Sequence, residues 1–243
     1  MKNKFFLNVN NRELYGLLEG PDDAQKLVLV MHGFMMHSRQ HPFYDLVRAL
    51  WDEGYATLRF DFNGHGRSPG LLKDVTMSKV FEDAEAFYSH ARTLDNIKEI
   101  IPLGYSMGGV AACNLAKNHK EINQMVLLSP AANIKERALM GNFFGMEFDP
   151  DNIPEEISDG DMVMGRDFIC EARTLNVFEG LSEYEGRALL IYGGADEKIS
   201  EEATLKYKDC IKNLIIEKVD VADHEWTEGG DVAVEKIKKY LAK

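Results

Sequence analysis

The 243-residue sequence predicts an α/β fold, a mostly parallel eight-stranded sheet flanked by helices on both faces. Three observations predict it. Aliphatic runs of strand length, rich in Val, Ile and Leu, recur along the chain, as sheets buried on both faces require. Amphipathic stretches with helical spacing alternate with those runs. No apolar run is long enough to cross a bilayer, so no membrane partner is expected. The length suits one domain or one and a half.

Taken in order, the first element is a hairpin: a strand over 5–9, a turn at Asn10-Asn11, and a strand over 13–19. After Gly20-Pro21, strands are predicted over 27–31, 56–62, 99–105, 124–129, 188–192 and 214–219. A helix is predicted over 78–94, where Val80, Ala84, Phe87, Tyr88 and Ala91 share one face. Another helix covers 201–212, and the last places Ala233, Ile237, Tyr240 and Leu241 together. Pro102 falls inside a strand that should be central, where it removes a ladder donor, so a local bulge is expected there.

One stretch breaks the alternation. Residues 131–186, following the sixth strand, exceed what a single crossover needs. They hold thirteen carboxylates against Lys135, Arg137, Arg166 and Arg173, and nine of the chain's 24 Phe and Met residues. An acidic insertion rich in Phe and Met reads as a cap over a site, or as an extra subdomain with its own small core. The expected organisation is a core over 1–130 and 187–243 with the insertion between.

Forty Asp and Glu against 28 Lys and Arg give a net charge of −12, which argues against a nucleic-acid partner. Cys113, Cys170 and Cys210 are odd in number with no CxxC, so neither a disulfide framework nor a zinc site is expected. The apolar run Phe5-Phe6-Leu7 is too short for a signal-peptide core. A cytoplasmic location is the expectation, with the oligomeric state left open.

Ligands on such sheets sit at the carboxyl ends of the strands, so chemistry is sought there. Gly104-Tyr105-Ser106-Met107-Gly108-Gly109 follows an apolar strand and precedes the helix formers Val110-Ala111-Ala112. This G-x-S-x-G pattern suits a nucleophilic serine on a strained turn, with glycines where side chains would clash. Its bland reading is an ordinary glycine-rich turn. A serine needs a histidine base oriented by a carboxylate, in the chain order Ser, Asp or Glu, His. Two histidines follow Ser106. His119 lies roughly 20 Å along the same helix at 1.5 Å per residue, which leaves His224. For the acid, Asp196 ends the strand-and-turn Ala188-Leu-Leu-Ile-Tyr-Gly-Gly-Ala, with Glu197, Asp220 and Asp223 as rivals. An oxyanion needs two backbone donors, for which the Met107 amide and the Phe34 amide in His32-Gly33-Phe34 are candidates. His32, Asp61 and His65 read as turn-building residues. The spacing around Gly64-His65-Gly66 fits neither a dinucleotide fingerprint nor a P-loop.

Together, His32-Gly33-Phe34, Asp61-x-x-Gly64-His65-Gly66-x-Ser68, the Ser106 motif, Asp196 and His224 resemble the α/β-hydrolase superfamily over essentially the whole chain. Ser129-Pro130-Ala131-Ala132 and Phe148-Asp149-Pro150-Asp151-Asn152-Ile153-Pro154 resemble, more narrowly, the bacterial cinnamoyl/feruloyl esterases. The resemblance implies a serine esterase that needs no metal or organic cofactor and acts on a small-molecule ester, with the insertion capping the site and holding an aromatic acyl group. At the cap positions that offer polar groups to phenolic hydroxyls in those esterases, this chain has Arg137, Phe144 and Phe168; Trp226 is a further substrate-contact candidate. Two phenylalanines cannot reward a ring hydroxyl, so an unsubstituted aromatic or medium aliphatic acyl group is expected instead of ferulate. The rivals are an acyl thioesterase, a monoacylglycerol-type lipase, and a catalytically dead ligand-binding member of the fold.

Overall fold

The structure, a computed structural model, describes residues 1–41 and 43–242. Its centre is an eight-stranded sheet built from β1 (Lys2–Val9), β2 (Arg12–Glu19), β3 (Lys26–Met31), β4 (Ala56–Phe60), β5 (Glu99–Tyr105), β6 (Gln124–Leu128), β11 (Arg187–Gly193) and β12 (Asn213–Val219). Between β6 and β11 lie two small hairpins, β7 (Asn142–Phe143) with β8 (Met146–Glu147), and β9 (Glu156–Asp159) with β10 (Met162–Gly165). The helices are α1 (Phe43–Asp52), α2 (Met77–Ala91), α3 (Met107–Asn118), α4 (Ile134–Met140), α5 (Arg166–Thr174), α6 (Glu201–Leu205), α7 (Tyr207–Cys210) and α8 (Gly230–Leu241).

The strand order is β1-β2-β4-β3-β5-β6-β11-β12, and only β2 runs against the others. Asn10 and Asn11 close the β1–β2 hairpin with φ of 50° and 65°, a turn whose twist matches the flanking strands. Side chains then alternate across the sheet with period two. Leu27, Leu29 and Met31 of β3 join the core cluster that holds Val80, Ala84 and Phe87 of α2 and Val110 and Ala111 of α3. Val28 and Val30 point the other way, to Leu46 and Leu50 of α1 and Ile237 and Leu241 of α8. Ile134, Phe143, Met146, Ile157, Met164 and Phe168 of the insertion belong to the first cluster, so the insertion packs onto the main core, with no separate core of its own among the described residues.

Several elements differ from the sequence expectation. Pro102 causes no bulge: the β3–β5 ladder runs unbroken through Leu29↔Pro102, and the β5–β6 ladder starts only at Leu103↔Val126. A proline is tolerated where the ladder on one side has not yet begun. The helix expected over 201–212 is two short ones, α6, capped by the Ser200 hydroxyl on the Ala203 amide, and α7. The fourth strand stops at Phe60, because the Asp61 carboxylate turns the next segment by accepting from the amides of Ser38 and Arg67. The helix over 77–91 starts one residue early, where Thr76 accepts from the Lys79 amide.

Candidate active site

Three loops at the carboxyl ends of β5, β11 and β12 build the site. Ser106 sits between β5 and α3 with φ 51° and ψ −116°, a conformation that a side-chain-bearing residue holds only under constraint from its surroundings. Two glycines supply that constraint. A Cβ on Gly104 would lie 2.0 Å from the Gly108 carbonyl oxygen, and one on Gly108 would lie 2.2 Å from that of Met31. The turn is thus pressed against β3, with the Ser106 amide donating to the Leu128 carbonyl of β6 at 3.0 Å.

The Ser106 hydroxyl lies 3.1 Å from His224 Nε2, and His224 Nδ1 lies 2.8 Å from Asp196 Oδ2. A carboxylate oxygen only accepts, so Nδ1 carries the proton and Nε2 is free to accept from the serine hydroxyl. Asp196 Oδ1 accepts from the amides of Lys198 (2.9 Å) and Ile199 (2.8 Å), which fixes the carboxylate. The side chains of Asp196 and His224 are almost wholly buried. The Tyr105 hydroxyl donates to the His224 carbonyl at 2.7 Å and holds that loop against β5. The structure brings together Ser106, His224 and Asp196. Glu197, Asp220 and Asp223 lie elsewhere in the hydrogen-bond pattern: Asp223, for example, caps the amide of Thr227.

The loop after β3 passes beside the serine, since a Cβ on Gly33 would lie 3.2 Å from Ser106 Cβ. This carries Phe34 to the site, while Met107 opens α3 on the other side. An amide in the first helical turn has no intrahelical acceptor. His32 is fully engaged in its own turn: Nδ1 donates to the Gly33 carbonyl at 2.8 Å and Nε2 accepts from the Phe62 amide at 3.0 Å. Burial, reinforced by the adjacent His65, pushes the His32 imidazole down to about 3, so it stays neutral. His65 donates from Nδ1 to the Asn63 carbonyl and stands edge-on to the Phe34 ring.

Two cavities meet at Ser106. One, of 640 Å³, opens between the loop after β3 and the His224 loop, and includes Met36, His41 and Glu225 in its walls. The other, of 30 Å³, lies under the insertion against Ile134, Arg137, Phe143, Met164 and Phe168. Phe34, Phe144 and Lys198 line both, forming a partition beside the serine. Arg137, Phe144 and Phe168 are therefore at the site; Arg137 donates to the Lys198 carbonyl at 3.1 Å. Trp226 is not. Its φ of 59° turns the side chain inward, where it is completely buried in the core cluster with α1 and α8, and its carbonyl accepts from His41 Nε2 at 2.8 Å. Lys198 and Glu225, joined by an ion pair across the larger cavity, escaped the sequence reading. Their signal was adjacency, two residues beyond Asp196 and one beyond His224.

Residues 22–147 match the family described as serine aminopeptidase, S33. A proline iminopeptidase, PfmaB, of Pestalotiopsis fici is 30% identical over 127 residues, covering 52% of this chain and 43% of that one. The chain thus aligns with less than half the length of this curated relative. Est1E of Butyrivibrio proteoclasticus, solved with ferulic acid bound, superposes with a TM-score of 0.93 over 98% of both chains at 28% identity. A monoacylglycerol lipase of Paleococcus ferrophilus shares the fold, with TM-score 0.72 and 18% identity over 94% of this chain and 98% of that one.

Proposed function

Because the chain belongs to the serine aminopeptidase (S33) family of α/β hydrolases, we propose that it is a serine carboxylesterase working through an acyl-enzyme. The observation that carries this reading is the line Ser106–His224–Asp196, closed by hydrogen bonds of 3.1 and 2.8 Å. Likeness to Est1E supports ester over amide substrates and a small aromatic acyl group.

In the proposed reaction the Ser106 oxygen attacks the ester carbonyl carbon while its proton passes to His224 Nε2. Asp196, held by two amides, stabilises the imidazolium through Nδ1–H. The amides of Phe34 and Met107 receive the tetrahedral oxyanion, and the positive end of α3 favours charge there. The C–O bond breaks as His224 gives its proton to the leaving alcohol. Water then enters through the larger cavity and attacks the acyl carbon as His224 takes its proton; the bond from that carbon to the Ser106 oxygen breaks, and His224 returns the proton to that oxygen, freeing the acid and restoring Ser106. The acyl group lies under the insertion and the alcohol faces the larger cavity.

The test is a substrate panel with wild type and Ser106→Ala: p-nitrophenyl acetate, methyl cinnamate, methyl ferulate, an acyl-CoA, a monoacylglycerol and prolyl p-nitroanilide. Removing the nucleophile should lower turnover by about 10⁶, as in other serine hydrolases. Labelling by a fluorophosphonate should vanish with it. Ester hydrolysis surviving the substitution would refute the reading. Faster turnover of the acyl-CoA, monoacylglycerol or anilide would transfer the same machinery to that linkage.

A further inference from the structure

A third cavity, of 510 Å³, lies between the outer strands β1, β2 and β4 and helix α1, and shares no lining residue with the two at Ser106. Its floor is Arg59, whose side chain is 5% exposed. Arg59 Nη1 donates to the Ser38 carbonyl at 3.0 Å, Nη2 pairs with Glu19, and Nε is buried without a partner. Glu19 is shared with Lys2 at 2.7 Å, so its charge is already answered.

The rim is different. Lys4, Arg39 and Arg48 line the same cavity, and none of their side chains makes an ion pair or hydrogen bond among the described residues. Against them stands one unpaired carboxylate, Asp52. Three unanswered cations converge here in a chain whose net charge is −12. A concave, positively charged wall concentrates anions.

The cavity also offers flat faces. Trp51 is half-buried and fixed by its Nε1–H donating to Thr57 Oγ1 at 2.9 Å, and Tyr44 on the rim is 60% exposed. An arginine fork binds phosphate through two parallel bonds, and an indole stacks on a planar ring. From this juxtaposition we propose that the cavity between β1, β2, β4 and α1 binds a small ligand with phosphate groups beside a flat ring, of the nucleoside diphosphate class. Arg39 and Arg48 hold the phosphates and Trp51 takes the base. This site is independent of the esterase reading.

The experiment is titration calorimetry of the full chain with ADP, and with pyrophosphate and adenosine as its two halves, at low and high salt. Trp51 fluorescence is read in parallel; Trp226 is wholly buried, so ligand quenching reports Trp51. ADP should bind saturably at one site, more tightly than either half, and more weakly as salt rises. Arg39→Glu with Arg48→Glu should weaken ADP binding by at least about tenfold, as should Arg48→Gln to a smaller degree. Both arginines are exposed, and unchanged thermal unfolding and p-nitrophenyl acetate hydrolysis would show the variants folded. No saturable ADP binding, binding indifferent to the charge reversal, or pyrophosphate binding equal to ADP would overturn the assignment.

Discussion

The Lys198 ammonium stands 5.4 Å from the centre of the Phe144 ring, tying the loop after β11 to the insertion directly beside Ser106. Phe144 is held at φ 54°, so the ring projects from a strained backbone into the partition between the two cavities. The space on the insertion side, 30 Å³, admits about one or two water molecules and no aromatic ring. A ring enters only if this partition moves.

Lys198→Ala should therefore raise kcat/KM for bulky aromatic acyl esters. A cation–π contact at an exposed site is worth about 0.5–1 kcal/mol, hence a gain of about two- to fivefold. The backbone amide that fixes Asp196 is kept, so acetate hydrolysis should hold. The Lys198–Glu225 pair is exposed, and its loss should change stability by less than about 1 kcal/mol. Steady-state kinetics on ester series of increasing acyl size check this; an unchanged size profile refutes it.

The serine turn depends on backbone contacts that no side chain can yield to. Gly108→Ala would place a methyl group 2.2 Å from the Met31 carbonyl oxygen and 2.7 Å from that of His32. Either the turn or β3 must shift. A cost of about 2–3 kcal/mol is expected, with Tm lowered by about 4–12 °C. Misplacing Ser106 by even about 1 Å should lower turnover about 10²-fold. Calorimetry and burst kinetics on the variant measure the two losses separately.

What was legible in the sequence was what short-range pattern encodes. Buried strands such as β3 show as aliphatic runs, and the Ser106 turn shows because its glycines are each demanded by a local collision. The partners His224 and Asp196 followed from their place at strand exits. The insertion was legible only as a composition, because β7 and β8 have two residues each and carry no periodicity. Trp226 and Lys198 were misjudged or missed because their side-chain directions depend on a left-handed φ and on tertiary contacts that spacing does not express. Arg59 and Glu19 form a buried pair between neighbouring strands β4 and β2, a cross-strand contact that spacing along the chain does not express.

Acid should weaken the fold through His32. Its pKa is pushed from 6.5 to about 3 by burial first and by His65 next. Above pH 6.5 both states are neutral and His32 adds no pH dependence. As pH falls from 6.5 toward 3 the unfolded chain takes up the proton and the folded one does not, so stability is lost. Asp83 acts oppositely: burial raises it from 3.8 to about 6, so the folded state binds that proton first. Comparing variants removes this offset. Between pH 7 and 5, wild type should lose about 2 kcal/mol more than His32→Gln, although the variant starts less stable, having lost the Phe62 bond. Equal slopes in Tm against pH would sink the assignment of a neutral His32.

The insertion-side pocket should distinguish acyl groups by their ring hydroxyl. Phe143, Phe144, Phe168, Ile134 and Met164 offer it no hydrogen bond. Its side-chain donors are already engaged: Asn133 and Arg137 both give to the Lys198 carbonyl, at 2.9 and 3.1 Å, the Lys198 ammonium pairs with Glu225, and the Ser106 hydroxyl gives to His224. A phenol buried there without a partner loses about 1–3 kcal/mol, so methyl cinnamate should be hydrolysed about 5- to 150-fold more efficiently than methyl ferulate. Parallel kcat/KM measurements decide it. A preference for ferulate would mean that Arg137 or Asn133 releases Lys198 to bind the ring, and Arg137→Met would then abolish that preference while leaving cinnamate turnover in place.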